Sequence, residues 1–371
     1  MKLFEYQGKE IFGRYKIPVP KSRLADFKSI ETALRSTNYP CVLKSQVLRG
    51  GRGKAGLIRV VNNEEEAKGE ARRLFDIGIN KLLIEEAVDI ERELYLSITV
   101  EPVEGKALLI ASAEGGMEIE TLARDFPEKI IREKVDLNTG IMPFQARDVS
   151  YKLTEDTQIA SQIASIILRL YAVFRDYDAE LVEINPLFVS KSGSVIAGDA
   201  KLIIDDNSRY KHPEYQLTRE HFESDAEYEA AMEGIPYLQF DGDISLMCAG
   251  AGLTTTVFDL IHYEGGTVAN YLEFGGPNYR KAKRAMELCL KNESKVILIV
   301  TFGTIARADV MAKGVVEAIE ALKPDRPIVT CIRGTNEEEA VKILKGANLT
   351  PIFDTEEAVR EAVRIAKGVT A

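Results

Sequence analysis

The sequence predicts two units of different architecture, a mixed α+β unit over residues 1–234 and a parallel α/β unit over residues 235–371. In the first half, strand-length apolar runs follow one another with few helical stripes between them. Residues 206–233 then turn polar, charged and rich in Tyr, as a boundary region would. Beyond residue 235 a strand, a glycine turn and a helix alternate three times, the pattern of a doubly wound parallel sheet. At 371 residues the chain is long enough to bury a separate core in each unit.

The elements can be read in order. Leu3, Tyr6, Ile11, Phe12 and Tyr15 share one side of a short helix, which ends before the extended Ile17-Pro-Val-Pro segment. Strands are expected at 41–47, 57–61, 81–88, 93–100 and 106–113. A helix over 63–78 places Ala67, Ala71, Leu74 and Phe75 on one face. A long helix over 154–177 buries Ile159, Ile163, Ile166, Ile167, Leu170 and Phe174. Strands 181–189 and 195–204 flank a Lys-Ser-Gly-Ser turn and read as a hairpin. In the second unit, strands ISLMCA, KVILIVTFG and PIVTCIRG lead into helices ending near Tyr263, Leu322 and Gly346. No internal repeat or low-complexity tract interrupts them.

Composition excludes some classes. The net charge of −10 lacks the basic footprint of a nucleic-acid binder. No apolar run approaches the roughly 18 residues of a membrane span, and the first residues lack a secretory h-region, so a cytoplasmic protein is expected. Cys41, Cys248, Cys289 and Cys331 are far apart and lie in or beside apolar runs, as buried reduced thiols do.

Arg49-Gly-Gly-Arg-Gly-Lys-Ala-Gly56 is the most informative loop of the first unit. Its glycines, Gly51 and Gly53 among them, let the backbone approach a ligand, while Arg52 and Lys54 add charge suited to phosphate. Residues 51–56 match G-x-G-x-x-G by letter, but a strand follows, whereas a dinucleotide fingerprint opens a helix. A solvated basic turn is the plain alternative. Lys44 lies in the apolar strand just before; its ammonium must reach an anion or snorkel to water. Glu183 and Asn185, two apart on a strand, point to one face, and Asp199 is expected on the partner strand with Lys201 two residues on. An Asn and Asp oxygen pair suits Mg²⁺, with water and phosphate completing the shell; polar edge residues are the alternative. Glu85 and Glu93 flank another loop and read equally well as a solvated acidic face. His212, His221 and His262 lie beside no glycine turn, and there is no Ser/His/Asp arrangement, zinc spacing or Walker loop. Two turns of the second unit, Cys248–Gly252 and Phe302–Ala306, join buried strands to helices and offer anion sites or simply tight packing.

Taken together, LFEYQGKEIFGRYKIPVP, KSQVLRGGRGKAG, ELYLSITV, ASAEGGMEIE and VEINPL, in that order, resemble the succinyl-CoA synthetase (succinate–CoA ligase) β-subunit family from residue 1 to about 368. The resemblance implies an ATP-grasp fold followed by a flavodoxin-like CoA-ligase domain. By motif match, Lys44, Gly51, Arg52, Gly53, Glu85, Val88 (through its backbone) and Glu93 would hold ATP/ADP or GTP/GDP. Asn185 and Asp199 would bind Mg²⁺, and Glu183 would face an incoming phosphohistidine. That histidine would belong to a separate α-type subunit, which also binds CoA. Ala249, Gly250, Thr304, Ile305 and Ala306 would contact a small carboxylic acid.

The acid-binding turns depart from the family pattern. Ala249 stands where Asn-Gly-Ala-Gly has its Asn; Phe302-Gly-Thr-Ile replaces Phe-Gly-Gly-Ile; Leu272-Glu-Phe-Gly-Gly-Pro277 replaces Leu-Asp-Val-Gly-Gly-Gly; and Cys331 takes an expected Arg position, with Arg333 two residues on. Segments 249–252 and 269–273 resemble citrate-using relatives. Succinate therefore leads a list that includes citrate and malate. A non-catalytic nucleotide- or acyl-CoA-sensing subunit and a carboxylase-type ATP-grasp enzyme are the readings from other classes.

Overall fold

The computed structural model describes residues 1–117, 119–275, 280–303 and 307–368. The chain divides into two compact units, Met1–Glu220 and His221–Ala371. The segment after Glu220 goes with the second unit because the helix Asp225–Met232 buries Ala226 and Ala230 in that unit's core, beside Tyr237.

The first unit holds two antiparallel sheets. Strands β1 (Ser22–Asp26), β2 (Cys41–Ser45), β3 (Ile58–Val61) and β4 (Lys81–Glu86) form a four-stranded sheet in the order β1-β4-β2-β3. The helices Ile30–Arg35 and Glu64–Asp76 cover one face of it, burying Leu34, Ala67, Ala71 and Leu74 against Leu43, Leu82 and Ile84. Asn63 starts the second helix by accepting from the Glu66 amide at 2.9 Å.

Strands β5 (Ile90–Glu101), β6 (Lys106–Ser112), β7 (Ile131–Val135), β8 (Ala179–Ser190), β9 (Val195–Ala197) and β10 (Lys201–Ile204) form the second sheet, ordered β10-β8-β5-β6-β7 with β9 paired to β8. Against it lies the helix Thr157–Asp176, capped by Asp156, which accepts from Gln158 and Ile159 amides at 2.8 and 3.0 Å. All six apolar residues expected in its stripe are buried in this core. It is also the one helix among the described residues long and apolar enough, by length and composition, to cross a membrane. Here that apolar face packs on the sheet.

The expected second strand of the hairpin, 195–204, is in fact two. β9 pairs with Leu187–Val189 and β10 with Ala179–Glu183, so Gly198, Asp199 and Ala200 belong to neither. Pro186, opposite this gap, has no N–H to give a ladder. Asp199 consequently projects from a break in the pairing, not from a strand.

The second unit is a five-stranded sheet of β11 (Tyr237–Gln239), β12 (Ile244–Ala249), β13 (Val268–Leu272), β14 (Val296–Gly303) and β15 (Ile328–Gly334), ordered β11-β13-β12-β14-β15. The last four are parallel, and β11 adds an antiparallel edge that the sequence pattern did not announce. Helices Ala282–Cys289, Ala308–Leu322 and Glu337–Gly346 cover one face; Ala251–Tyr263 and Thr355–Ala366 cover the other. The order of β13-β12-β14-β15 is that of a flavodoxin-like doubly wound sheet. All four cysteines are buried and free.

Candidate nucleotide site

Lys44, Gly51, Arg52, Gly53, Glu85, Val88, Glu93, Glu183, Asn185 and Asp199 all line one cavity of about 880 Å³ in the first unit. The strand period accounts for much of this. Val42 and Lys44 share the face of β2 that lines the cavity, while Leu43 between them enters the core. Glu183 and Asn185 do the same on β8. The loop from Arg49 to Gly56 joins antiparallel β2 and β3, and its Ala55, Gly56 and Leu57 amides bond back to Gly51, Gly53 and Arg52 carbonyls. With a strand following, the dinucleotide fingerprint is excluded.

Neither cation reads as a solvated side chain. Lys44 Nζ donates to Glu5 Oε1 at 2.9 Å and Gly198 O at 2.6 Å, and pairs with Glu85 Oε2 at 2.6 Å. Arg52 Nη1 reaches Glu5 Oε2 at 2.5 Å and Ser45 O at 3.2 Å; Nη2 spans both Asp199 oxygens at 2.9 Å. Burial works against both charges, but Glu5 and Glu85 outweigh it at Lys44, and Asp199 and Glu5 at Arg52, so both pKa values rise. Glu85, fully held between Lys44 and Lys9, is not the solvated acid that the sequence allowed.

Glu5 and Lys9 complete this charge network, and sequence reasoning missed both. Burial disfavours the Glu5 carboxylate, yet Lys44, Lys9 and Arg52 around it hold its pKa well below the usual range. The signal that could have found them is their place on the same face of the helix as Gly8 and the apolar Phe12.

Asn185 Oδ1 accepts from the Gly116 amide at 2.9 Å while its Nδ2 donates to Met117 O at 2.9 Å, which fixes the amide orientation and leaves the oxygen a lone pair. Among the described residues no three His, Cys, Asp or Glu side chains cluster for a metal. The protein thus offers two oxygen donors, Asn185 and Asp199, in a cavity with room for phosphates and water; this donor set fits Mg²⁺. Glu183 pairs with Lys201 at 3.3 Å. No histidine lines this cavity: His212 stacks on Tyr177 at 5.1 Å, His221 ends a short helix, and His262 Nδ1 is 3.0 Å from Phe258 O.

In the second unit Ala249 ends β12, and Gly250, at φ 100°, opens the helix Ala251–Tyr263. Thr304, Ile305 and Ala306 lie outside the described residues, as does Pro277. Arg333 is engaged with Glu337 at 2.6 Å and stacks over Phe353.

Residues 2–189 match the ATP-grasp domain model and residues 247–365 the CoA-ligase model. The chain is 41% identical over 376 residues to the β subunit of the ADP-forming succinate–CoA ligase of Ignicoccus hospitalis, covering 99% of this chain and 100% of that one. The chain belongs to the succinate–CoA ligase β-subunit family. Within this family it is 61% identical to an ADP-forming sulfoacetate-CoA ligase subunit of Acholeplasma sp, over 99% of this chain and 92% of that protein. Identity is 59% to the corresponding subunit of Bilophila wadsworthia, over 99% and 100%. The solved structure of ATP citrate lyase from Methanothrix soehngenii shares the fold, with a TM-score of 0.74, 23% identity and 99% coverage of both chains. The first unit is therefore an ATP-grasp fold and the second a flavodoxin-like CoA-ligase domain. The protein is the β subunit of an acid–thiol ligase that forms a nucleoside diphosphate.

Proposed function

We propose that this β subunit serves an ADP-forming ligase that joins sulfoacetate to CoA. The observation that carries this reading is the gap in identity, over almost the same stretch of chain, between the sulfoacetate-CoA ligase subunits at 61% and 59% and the succinate enzyme at 41%. It displaces succinate, which led on motif resemblance alone. The altered turns support the change. A sulfonate is a tetrahedral anion with three oxygens and needs a different cradle from a planar carboxylate. Where relatives have an Asn amide, Ala249 leaves space and no fixed hydrogen bond for a carboxylate.

In this reading ATP sits in the first-unit cavity, its phosphates near Lys44, Arg52 and the Gly51–Gly53 backbone. Asn185 and Asp199 would hold Mg²⁺, which would neutralise phosphate charge and orient the phosphate chain. The γ-phosphoryl passes to a histidine of an α-type partner, ADP departing, with Glu183 beside that histidine. The carboxylate of the acid takes the phosphoryl from the histidine, giving an acyl phosphate. The CoA thiol, bound by the partner, attacks the acyl carbon; a C–S bond forms, the C–O bond to phosphate breaks, and inorganic phosphate leaves with the thiol proton passed to solvent. All steps are reversible, and the protein's part is positioning and charge stabilisation. A cytoplasmic location accords with CoA and ATP as substrates.

The test is a coupled assay of the chain reconstituted with its α-type partner against sulfoacetate, succinate, citrate and malate, with ATP and GTP. Sulfoacetate with ATP should give the highest kcat/KM. Equal or better turnover of succinate would overturn the substrate, and no nucleotide-dependent thioester from any acid would overturn the ligase.

A further inference from the structure

All three protons of the Lys44 ammonium are committed to Glu5, Glu85 and Gly198 O, and both Arg52 terminal nitrogens to Glu5, Ser45 and Asp199. An ammonium has three donors and no more. A phosphate can therefore reach Lys44, or the terminal nitrogens of Arg52, only by exchange for a partner already present. Asp199 is the partner that Arg52 can give up, since a metal would take its oxygens and it is the most exposed of the set, at 28% for its side chain. Lys44 can give up the Gly198 carbonyl, which Lys9 also holds. Glu5 cannot follow, because its side chain is 2% exposed on the opening helix.

Behind Glu5, and outside the cavity lining, Lys9 is equally saturated: its Nζ meets Glu5 Oε1 at 2.8 Å, Gly198 O at 2.9 Å, and Glu85. Three cations (Lys9, Lys44, Arg52) face three carboxylates (Glu5, Glu85, Asp199). When Asp199 goes to a metal and phosphates come to share Lys44 and Arg52 with Glu5, Lys9 stays with Glu5 and Glu85, so neither carboxylate is left under-compensated in the interior.

We propose that Glu5, backed by Lys9, is the positioning residue of the nucleotide site: it retains Arg52 and Lys44 while Asp199 is released, and thereby makes metal and nucleotide binding mutually dependent. The proposal rests on the reading of this cavity as the nucleotide site. It predicts that the free protein holds a divalent metal poorly, because Arg52 occupies Asp199, and that nucleotide frees the site. Without an ionised residue 5, Asp199 is the only carboxylate left to Arg52 among the described residues, and the exchange fails.

The experiment measures Mn²⁺ affinity of the full chain by electron paramagnetic resonance, with and without ADP, and ADP affinity by calorimetry. For the natural sequence, ADP should tighten Mn²⁺ binding by tenfold or more. Glu5→Gln should reduce that enhancement below threefold, and Glu5→Asp should recover part of it. Lys9→Met, which keeps length and loses charge, should also lower the enhancement, and it carries the test if Glu5→Gln fails to fold. A merely structural role would change the melting temperature and leave the ratio alone. Mn²⁺ binding indifferent to ADP in the natural protein, or an unchanged enhancement in the variants, overturns the proposal. Failure of the natural protein to bind ADP at all would overturn the site reading instead.

Discussion

Nη2 of Arg52 lies 2.9 Å from both carboxylate oxygens of Asp199, a side chain of the glycine loop gripping a residue from the break between β9 and β10. The contact joins elements of both sheets of the first unit across the cavity. In the proposed mechanism both partners are needed, but in different company.

In that mechanism Asp199→Ala would remove a metal oxygen while leaving Arg52 held by Glu5. Lys44→Ala removes a phosphate cation from between Glu5 and Glu85. Either should cut nucleotide-dependent turnover by at least about 10²-fold, the scale of losing one charge-stabilising group. Circular dichroism and thermal melting should show the second unit still folded. Full activity in either variant would count against these assignments.

Much of this site was legible from alternation along strands. Glu183 and Asn185 could be placed on one face because a period of two leaves no choice once neighbours are assigned to the core, whereas Lys44 stood out as a charge in an apolar strand. Glu5 and Lys9 were not legible, because a charged i,i+4 pair on a helix ordinarily marks its wet side. Here Gly8 brings the helix so close that an added Cβ would stand 2.9 Å from that of Ala200, and the pair is shut inside. Asp199 was assigned to the wrong kind of element because two short strands in sequence read as one. In the second unit the strand–turn–helix rhythm gave the parallel core, whereas the short antiparallel β11 follows a helix-rich polar segment and carries little pattern of its own.

The loop that orients Asn185 is tightly seated. A Cβ at Gly115 would lie 2.4 Å from the Leu94 carbonyl oxygen, a backbone atom that cannot rotate away. Gly115→Ala is expected to destabilise the first unit by about 1–3 kcal/mol through overpacking. It should also loosen the Gly116 amide from Asn185 and weaken Mn²⁺ binding in the presence of ADP. Urea unfolding and the metal titration together check this; a variant with natural stability and natural metal affinity contradicts it.

Glu5 also makes a prediction in pH. Its folded-state pKa is depressed below the ordinary value of 4.5, so its ionic contribution to stability is fully present above that value and is lost as pH falls through the depressed one. The melting-temperature gap between the natural protein and Glu5→Gln should therefore be constant from pH 8 to about pH 5. Below the ordinary carboxylate range it should shrink. A gap that widens on acidification would reverse the sign and refute the assignment.

Burial pushes the Cys248 thiol up to about 12 and those of Cys41 and Cys289 to about 11, and it raises Cys331 as well. Thiolate, the reactive form, is therefore scarce at pH 8, and the side chains are enclosed. A disulfide reagent should label none of the four in the native protein within minutes and all four after unfolding. Rapid native labelling of any one would mean that its strand, or for Cys289 its helix, opens far more readily than its packing allows.

The last prediction concerns the acid. Ala249 ends β12 directly before Gly250, and its Cα lies 2.9 Å from where Gly275 would carry a Cβ, so the turn is walled by backbone on one side. Ala249 is itself only partly buried, which leaves room for a larger side chain to extend from the open side. Ala249→Asn would return an amide able to hydrogen-bond a planar carboxylate, and would take up space that a sulfonate needs. A hydrogen bond of this kind discriminates by about 1–3 kcal/mol, roughly five- to 150-fold in kcat/KM. The ratio of succinate to sulfoacetate turnover should rise by that factor, with KM for ATP unchanged, since the nucleotide cavity is built entirely from the first unit. A rise in KM for ATP, or an unchanged acid ratio, would show that residue 249 does not select the acid.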